Sequence, residues 1–401
     1  MTRDPWAEFA RAAHDRPIAG YFERGDAPGL PGRWAASFTH ADEHFTLLRG
    51  DRPESLDRFT ARRLRGDARR GIMGYVTFEA AGLWEPLLAG RREMSPFPLG
   101  EFAVVDHLVR RRVRAVPRER PSARRPPPPR ALEETLPARR YARAVRRLHR
   151  AIGDGDAFQV VLANRRRFHR PDDLLARAAL LRARERFAYF YYLRFGDREV
   201  VGASPESVVE VEHARAHVYP IAGTLPAGDR RRGRRPLAED SKELSEHRML
   251  VDLARNDLGK IATTGSVRVA WREREFRFAR LTHLISRVDA RVRPGVGPWA
   301  VLAATFPAGT VSGAPKIRAT QLLRQEEQTW RGPYAGAVGL LTGDGRTSWA
   351  LAIRGAFTSG RDLYTCAGAG IVWASRPARE FREVRTKLSQ LEATLVGGSP
   401  G

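Results

Sequence analysis

Val208-Val209-Glu210-Val211-Glu212, His213-Ala214-Arg215-Ala216 and His217-Val218-Tyr219-Pro220-Ile221 follow one another without a break. Apolar and polar side chains alternate on both sides of a short polar junction, and a period of two residues marks a strand with one buried face. The stretch predicts a β-hairpin, and with it an antiparallel sheet.

The pattern continues outward. Residues 158–164, 188–195 and 199–203 read as strands, as do 335–341, 349–356 and 363–367, while 45–48 and 72–78 are weaker runs near the N-terminus. Helical spacing appears over 136–152, over 174–186 and in two longer segments starting near residues 241 and 377. Strands interleaved with helices, several of them joined as hairpins, predict a mixed α/β (α+β) protein with largely antiparallel sheets. Residues 110–130 crowd six prolines among arginines, which predicts an exposed polyproline-type linker. It splits the chain into an N-terminal subdomain (1–108), a linker (109–131) and a larger C-terminal domain (132–396).

Composition narrows the function class. With 42% apolar residues in 401, the chain can bury a full core. There is no apolar run long enough to span a membrane, and the N-terminus lacks a signal-peptide pattern, so a soluble cytoplasmic protein is expected. A formal charge of +24 invites a nucleic-acid reading, yet the arginines are scattered and only four of 70 basic residues are lysine, which argues against it. The densest run, residues 230–235, sits among prolines and glycines and reads as a solvated loop. Cys366 is the only cysteine; it excludes disulfides and multi-cysteine metal sites.

Two acid pairs carry the chemistry. Glu243 and Glu246 are spaced i, i+3, and the apolar stripe His247, Leu250, Val251, Ala254 and Leu258 projects back onto them, so both point inward. Asp240 or Ser241 can cap that helix, and a capping role for Glu243 is the plain alternative. Glu380 and Glu383 repeat the spacing on the last helix, followed by Lys387; alone, this trio reads as a surface ion pair. Carboxylates paired on an interior are what Mg²⁺ requires.

Other positions are weaker singly. Glu206 follows a proline between two strand runs, which can aim an acid into a cleft. The run 309–316 is glycine-rich with hydroxyls and a lysine but lacks phosphate-loop order, so it reads as a turn lining a polar pocket. Gly368, Ala369 and Gly370 fit either bare backbone N–H groups facing an anion or a tight turn. His283 lies in an apolar run, as core histidines do, and Arg354 ends one, as a buried cation awaiting an anion would.

Taken in order, the stretches FQVVLANRR (158–166), ASPES (203–207), PIAGT (220–224), KELSEHRMLVDLARNDLGK (242–260), HLISRV (283–288), FPAGTVSGAPKIRA (306–319), RGPYAGAVG (331–339), LAIR (351–354) and AGAGIV (367–372) resemble the chorismate-utilising enzymes, most closely the large component (component I) of anthranilate synthase. The resemblance implies two large antiparallel sheets packed together with helices outside, and a chorismate-binding catalytic domain in 132–396. It implies Mg²⁺ held by Glu243, Glu246, Glu380 and Glu383, with Glu246 and Glu383 as direct ligands. It implies Glu206 as the acid for the departing C4 hydroxyl, and His283 and Thr310 beside the enolpyruvyl group. Tyr334, Arg354, Lys387 and the backbone at Gly368, Ala369 and Gly370 become carboxylate anchors, and Gly223 and Thr224 of PIAGT join the substrate pocket.

Gln159 selects the branch. Isochorismate and salicylate synthases of this family carry a lysine there as base toward water, and a glutamine cannot take that role. The resemblance therefore implies amination with ammonia and pyruvate loss, giving anthranilate; Ala222, where many aminodeoxychorismate synthases have lysine, favours this over the aminodeoxychorismate or aminodeoxyisochorismate products. Cys366 is not in a nucleophile elbow, so ammonia is expected from a separate glutamine amidotransferase subunit, in a hetero-oligomer or with several copies of the chain. The segments associated with tryptophan feedback have no clear counterparts; one aligns with residues 185–189.

Overall fold

In a computed structural model, residues 4–25, 32–89, 95–106, 108–113, 130–226, 236–278 and 281–397 are described. They form two ten-stranded sheets with antiparallel pairings. The first runs Gly313–Ala314, Gln159–His169, Asp362–Ile371, Gly355–Ser359, Arg198–Ser204, Tyr189–Phe195, Ile18–Arg24, Trp34–Phe38 and Val109–Arg112, with Glu133–Glu134 added beside Gln159–His169. The second runs Ile221–Pro226, Leu281–Arg291, Arg215–Val218, Ser207–Glu212, Thr347–Leu351, Ala337–Thr342, Gly71–Val76, Gly100–Val105 and Glu43–Leu47, with Arg268–Phe278 beside Leu281–Arg291.

Strand Tyr189–Phe195 shows why the layers form. Successive side chains face opposite sides. Tyr189, Tyr191 and Leu193 enter a core shared with Tyr75 and Val338 of the other sheet. Phe190 and Tyr192 enter a second core with Trp6, Leu174 and Leu391, which belong to helices Pro5–Ala13, Leu174–Arg184 and Pro377–Leu395. Both faces of the strand are therefore buried, the inner one under a sheet and the outer one under helices. This is the expected architecture.

The hairpin forms with a tighter turn than expected. Glu212 pairs with Arg215, so His213-Ala214 alone make the turn, both with positive φ (51° and 55°), the backbone that matches strand twist in two-residue loops. The second strand stops at Val218, and Ile221–Pro226 is a separate strand, because Pro220 has no N–H for the ladder.

The expected division at 109–131 needs correction. Val109–Arg112 is a strand paired with Trp34–Phe38, and both sheets mix strands from either side of the Pro/Arg-rich stretch. The N-terminal segment has no core of its own, because Ile18–Arg24 pairs with Tyr189–Phe195 and Gly71–Val76 with Ala337–Thr342. Residues 114–129, and the arginine run 230–235, lie outside the described residues. Among the described residues no helix is long and apolar enough to cross a membrane.

Candidate active site

Two strand crossings place the centre of the site. Arg198–Ser204 belongs to the first sheet and Ser207–Glu212 to the second, so Pro205-Glu206 is where the chain passes between layers. The chain passes back between Thr347–Leu351 and Gly355–Ser359, at Arg354, whose φ of 54° is left-handed. Such strained backbone persists where surrounding structure holds it, and it clusters at functional sites. Each crossing accepts a hydrogen bond from beside the other: Leu351 N donates to Glu206 O (3.0 Å) and Ala203 N to Arg354 O (3.1 Å).

Glu206 is buried, and Thr310 Oγ1 donates to its Oε1 at 2.7 Å. Burial pushes its carboxyl up to about 8, opposed only in part by the threonine. The run 309–316 is a helical turn, Gly309–Ser312, then the two-residue strand Gly313–Ala314, with Lys316 opening the next helix. Thr310 is thus fixed against the acid.

One wall comes from Ile221–Pro226, Leu281–Arg291 and helix Ser241–Gly259. Gly223 sits at an irregularity in the strand pairing with φ 68°, and a Cβ there would lie 2.9 Å from Glu243 Oε2. Its carbonyl accepts Nδ1–H of His283 at 3.0 Å, which makes Nε2 the acceptor nitrogen of the ring. His283 is buried; desolvation lowers its pKa against the opposing hydrogen bond to Gly223 O, with Arg354 and Lys387 adding to the lowering. The Thr224 side chain lies outside the described residues.

On helix Ser241–Gly259 the stripe behaves as expected. His247, Leu250, Val251, Ala254 and Leu258 are buried, and His247 Nε2 meets Ser286 Oγ at 2.6 Å. Asp240 Oδ1 caps the amide of Glu243 at 3.2 Å, while the Glu243 carboxylate turns to Gly223 instead of closing a capping box. Glu243 and Glu246 are both half-buried.

The facing wall is Asp362–Ile371 with helix Pro377–Leu395. Gly368, Ala369 and Gly370 are strand, not a tight turn: they pair with Ala163, Leu162 and Val161. On the other side, pairing with Gly355–Ser359 stops at Thr365, so that edge has no partner strand beyond it among the described residues. Lys387 Nζ crosses that edge to Gly368 O at 2.8 Å and also holds Glu383 Oε1 at 2.8 Å. The surface ion pair is real, and it is also an anchor on the strand. Glu380 is buried and Glu383 exposed; burial raises the Glu380 carboxyl and the charge of Glu383 raises it further.

Two more residues close this side. Buried Tyr334 stands over the same strand, its hydroxyl 3.1 Å from where a Cβ on Gly368 would be. Gln159 begins strand Gln159–His169, its Nε2 2.5 Å from a Cβ position on Gly370, and its Oε1 is buried with no partner among the described residues. Arg331 and Glu327, which sequence reasoning missed, brace this wall from behind. Their buried ion pair also binds Val161 O, Val311 O and Ala163 N. The i, i+4 spacing was the only signal, and it is common on exposed helices.

The sequence pattern of the chorismate binding enzyme family matches residues 32–393. The chain belongs to the chorismate binding enzymes. Within that family it is 36% identical over 335 residues to anthranilate synthase component 1 of Methanothermobacter thermautotrophicus, covering 79% of this chain and 72% of that one. It is 44% identical over 253 residues to the Aquifex aeolicus component 1, covering 62% of this chain and 51% of that protein's length. Its fold matches anthranilate synthase component I from Streptococcus pneumoniae with a TM-score of 0.76 at 27% identity, over 92% and 94% of the two chains.

The four glutamates have the donor chemistry of a Mg²⁺ site. The donor set is all carboxylate, as a hard cation requires, and the raised Glu380 carboxyl beside Glu383 is a repulsion that a cation relieves. They stand as two pairs on two helices, and among the described residues no three His, Cys, Asp or Glu side chains converge as ligands. The chemistry fits; the expected single cluster of four is not formed in this structure.

Proposed function

We propose that this chorismate binding enzyme aminates chorismate at C2 with ammonia and eliminates pyruvate, giving anthranilate. Chorismate and ammonia become anthranilate, pyruvate and water. The observation that carries the reading is Glu206: buried, bonded to Thr310 and held protonated at neutral pH, it is a general acid for the C4 hydroxyl, which leaves as water.

Arg354, Tyr334, Lys387 and the open strand edge at Gly368, Ala369 and Gly370 orient the substrate carboxylates. Gly223 shapes the opposite wall, and His283 offers Nε2 as a base beside the enolpyruvyl group. Gln159 supplies an amide where activation of water would need a base, which favours ammonia as nucleophile. Glu246 and Glu383 would hold Mg²⁺ directly, with Glu243 and Glu380 beside them. The cation would offset the charge between an anionic substrate and the glutamates and polarise the ring for loss of the hydroxyl.

Ammonia comes from a separate glutamine amidotransferase subunit in this reading. Cys366, the single cysteine, is buried and its thiol is pushed up by burial, so it is no glutaminase nucleophile. Buried arginines such as Arg24, Arg166, Arg182 and Arg331 pair with carboxylates, so part of the chain's basic charge is internal and supports no nucleic-acid reading.

Incubating the protein with chorismate, ammonium and Mg²⁺ and reading fluorescence and product mass tests the proposal. Anthranilate supports it. A mass retaining the enolpyruvyl group, or isochorismate or salicylate, overturns it in favour of another branch.

A further inference from the structure

Beside Glu206, under helix Ser241–Gly259, lies a small cavity of about 30 Å³ whose polar lining is Glu206, Ser207, Asp257, Thr305 and Thr310. That is room for two waters, since each needs roughly 10–15 Å³. Ser207 Oγ, buried in its lining, has no hydrogen-bond partner among the described residues, and a buried orphan hydroxyl marks a place for water. On the far side, each oxygen of Asp257 faces a lysine: Lys316 Nζ donates to Oδ2 at 2.6 Å and Lys260 Nζ to Oδ1 at 3.3 Å. Lys316 is buried and also donates to Thr305 O at 3.2 Å.

Both lysines line a second cavity of about 400 Å³, with Asp57, Glu85, Trp84 and Trp299 around them. Lys260 is 59% exposed there, so this outer cavity meets solvent. The order of groups is then outer cavity, Lys316, Asp257, inner cavity, Glu206.

We propose that Lys316, Asp257 and the inner-cavity water beside Ser207 form a proton relay that recharges Glu206 from the outer cavity. The inference rests on Glu206 acting as the acid of the proposed reaction. After Glu206 gives its proton to the leaving hydroxyl, its carboxylate takes one from the cavity water. In step with that transfer the Lys316 ammonium passes a proton through the Asp257 carboxylate to the water, and Lys316 is reprotonated from the outer cavity. One solvent proton enters for each hydroxyl that leaves as water, and nothing is oxidised or reduced. Burial, which lowers the pKa of Lys316, makes it a readier donor than an exposed lysine.

The test compares single-turnover and steady-state rates of Lys316→Met and Ser207→Ala at pH 7. Resting enzyme carries Glu206 protonated, so the first turnover should match wild type while kcat falls about tenfold, and small buffer acids should restore it. Ser207→Ala removes one hydroxyl and keeps the fold if the methionine variant does not. Unchanged kcat in Ser207→Ala, or equal losses in both rates, overturns the relay. If wild-type protein does not turn over chorismate, the proposed reaction itself has failed, and the relay falls with it.

Discussion

Glu206 and Arg354 ride on two neighbouring crossings between the sheets, each crossing hydrogen-bonded to the strand end that leads into the other. The backbones that carry these two residues are therefore held at a fixed spacing. Leu351 and Ala203 supply the amides that lock it.

Glu206 sets a pH limit. Its carboxyl, raised to about 8 by burial, is the working form below that value, so kcat should fall as pH rises through about 8. The sign for stability is the same: the folded pKa lies above the unfolded one near 4.5, so the contribution is fully present below pH 4.5 and lost as pH climbs to about 8. Glu206→Gln should lower kcat by roughly 10²–10⁴-fold while removing this slope from a urea-unfolding series across pH.

Gly223→Ala tests the left-handed turn in the PIAGT strand. An L side chain at φ 68° is strained by roughly 1–2 kcal/mol, and its Cβ would press on Glu243. Chemical denaturation should show that loss. Activity should fall further than the melting midpoint explains, because the carbonyl that orients His283 moves as well.

Lys387→Met removes two contacts at once, to Gly368 O and Glu383. A hydrogen bond to a charged group contributes about 1.5–3 kcal/mol, so KM for chorismate should rise roughly ten- to a hundredfold. The side chain is one-third exposed, so the thermal midpoint should hold. A drop in stability with unchanged KM would return Lys387 to a structural part.

Glu246→Gln and Glu383→Gln should each abolish Mg²⁺-dependent turnover by at least about a hundredfold, given that metal charge stabilisation is worth several kcal/mol. Calorimetric titration of Mg²⁺ in the presence of chorismate should show the matching loss of binding. Glu243→Gln and Glu380→Gln should weaken it by a smaller factor, roughly tenfold.

Arg331→Met should destabilise the protein by about 3–5 kcal/mol, because it strands Glu327 uncompensated in the interior. Pairing it with Glu327→Leu should recover most of that loss in urea denaturation.

The helix carrying Glu243 and Glu246 was legible because its stripe, its Asp240 cap and its acids obey one local period. The hairpin at 208–221 was legible for the same reason, apart from two residues of turn and a strand break at Pro220. Glu206 was visible as an acid after a proline, but not as a crossing between layers, since which sheet a strand joins depends on partners far along the chain. Strands Trp34–Phe38 and Gly100–Val105 escaped because their faces are both buried and carry no clean alternation. Asp257 and Lys316 gave no signal: they lie 59 residues apart and meet only in the fold.

Gly71–Val76 pairs with Ala337–Thr342, and Gly71 sits opposite Thr342. On the ribosome the second sheet therefore waits for nearly the whole chain to emerge before its central strands can meet, and loop closure over such a span is slow. Until then the apolar strands of the first third have unpaired edges, exposed to aggregation or to chaperones. Yield of folded protein should thus depend on translation speed and chaperone supply more than on any single core contact.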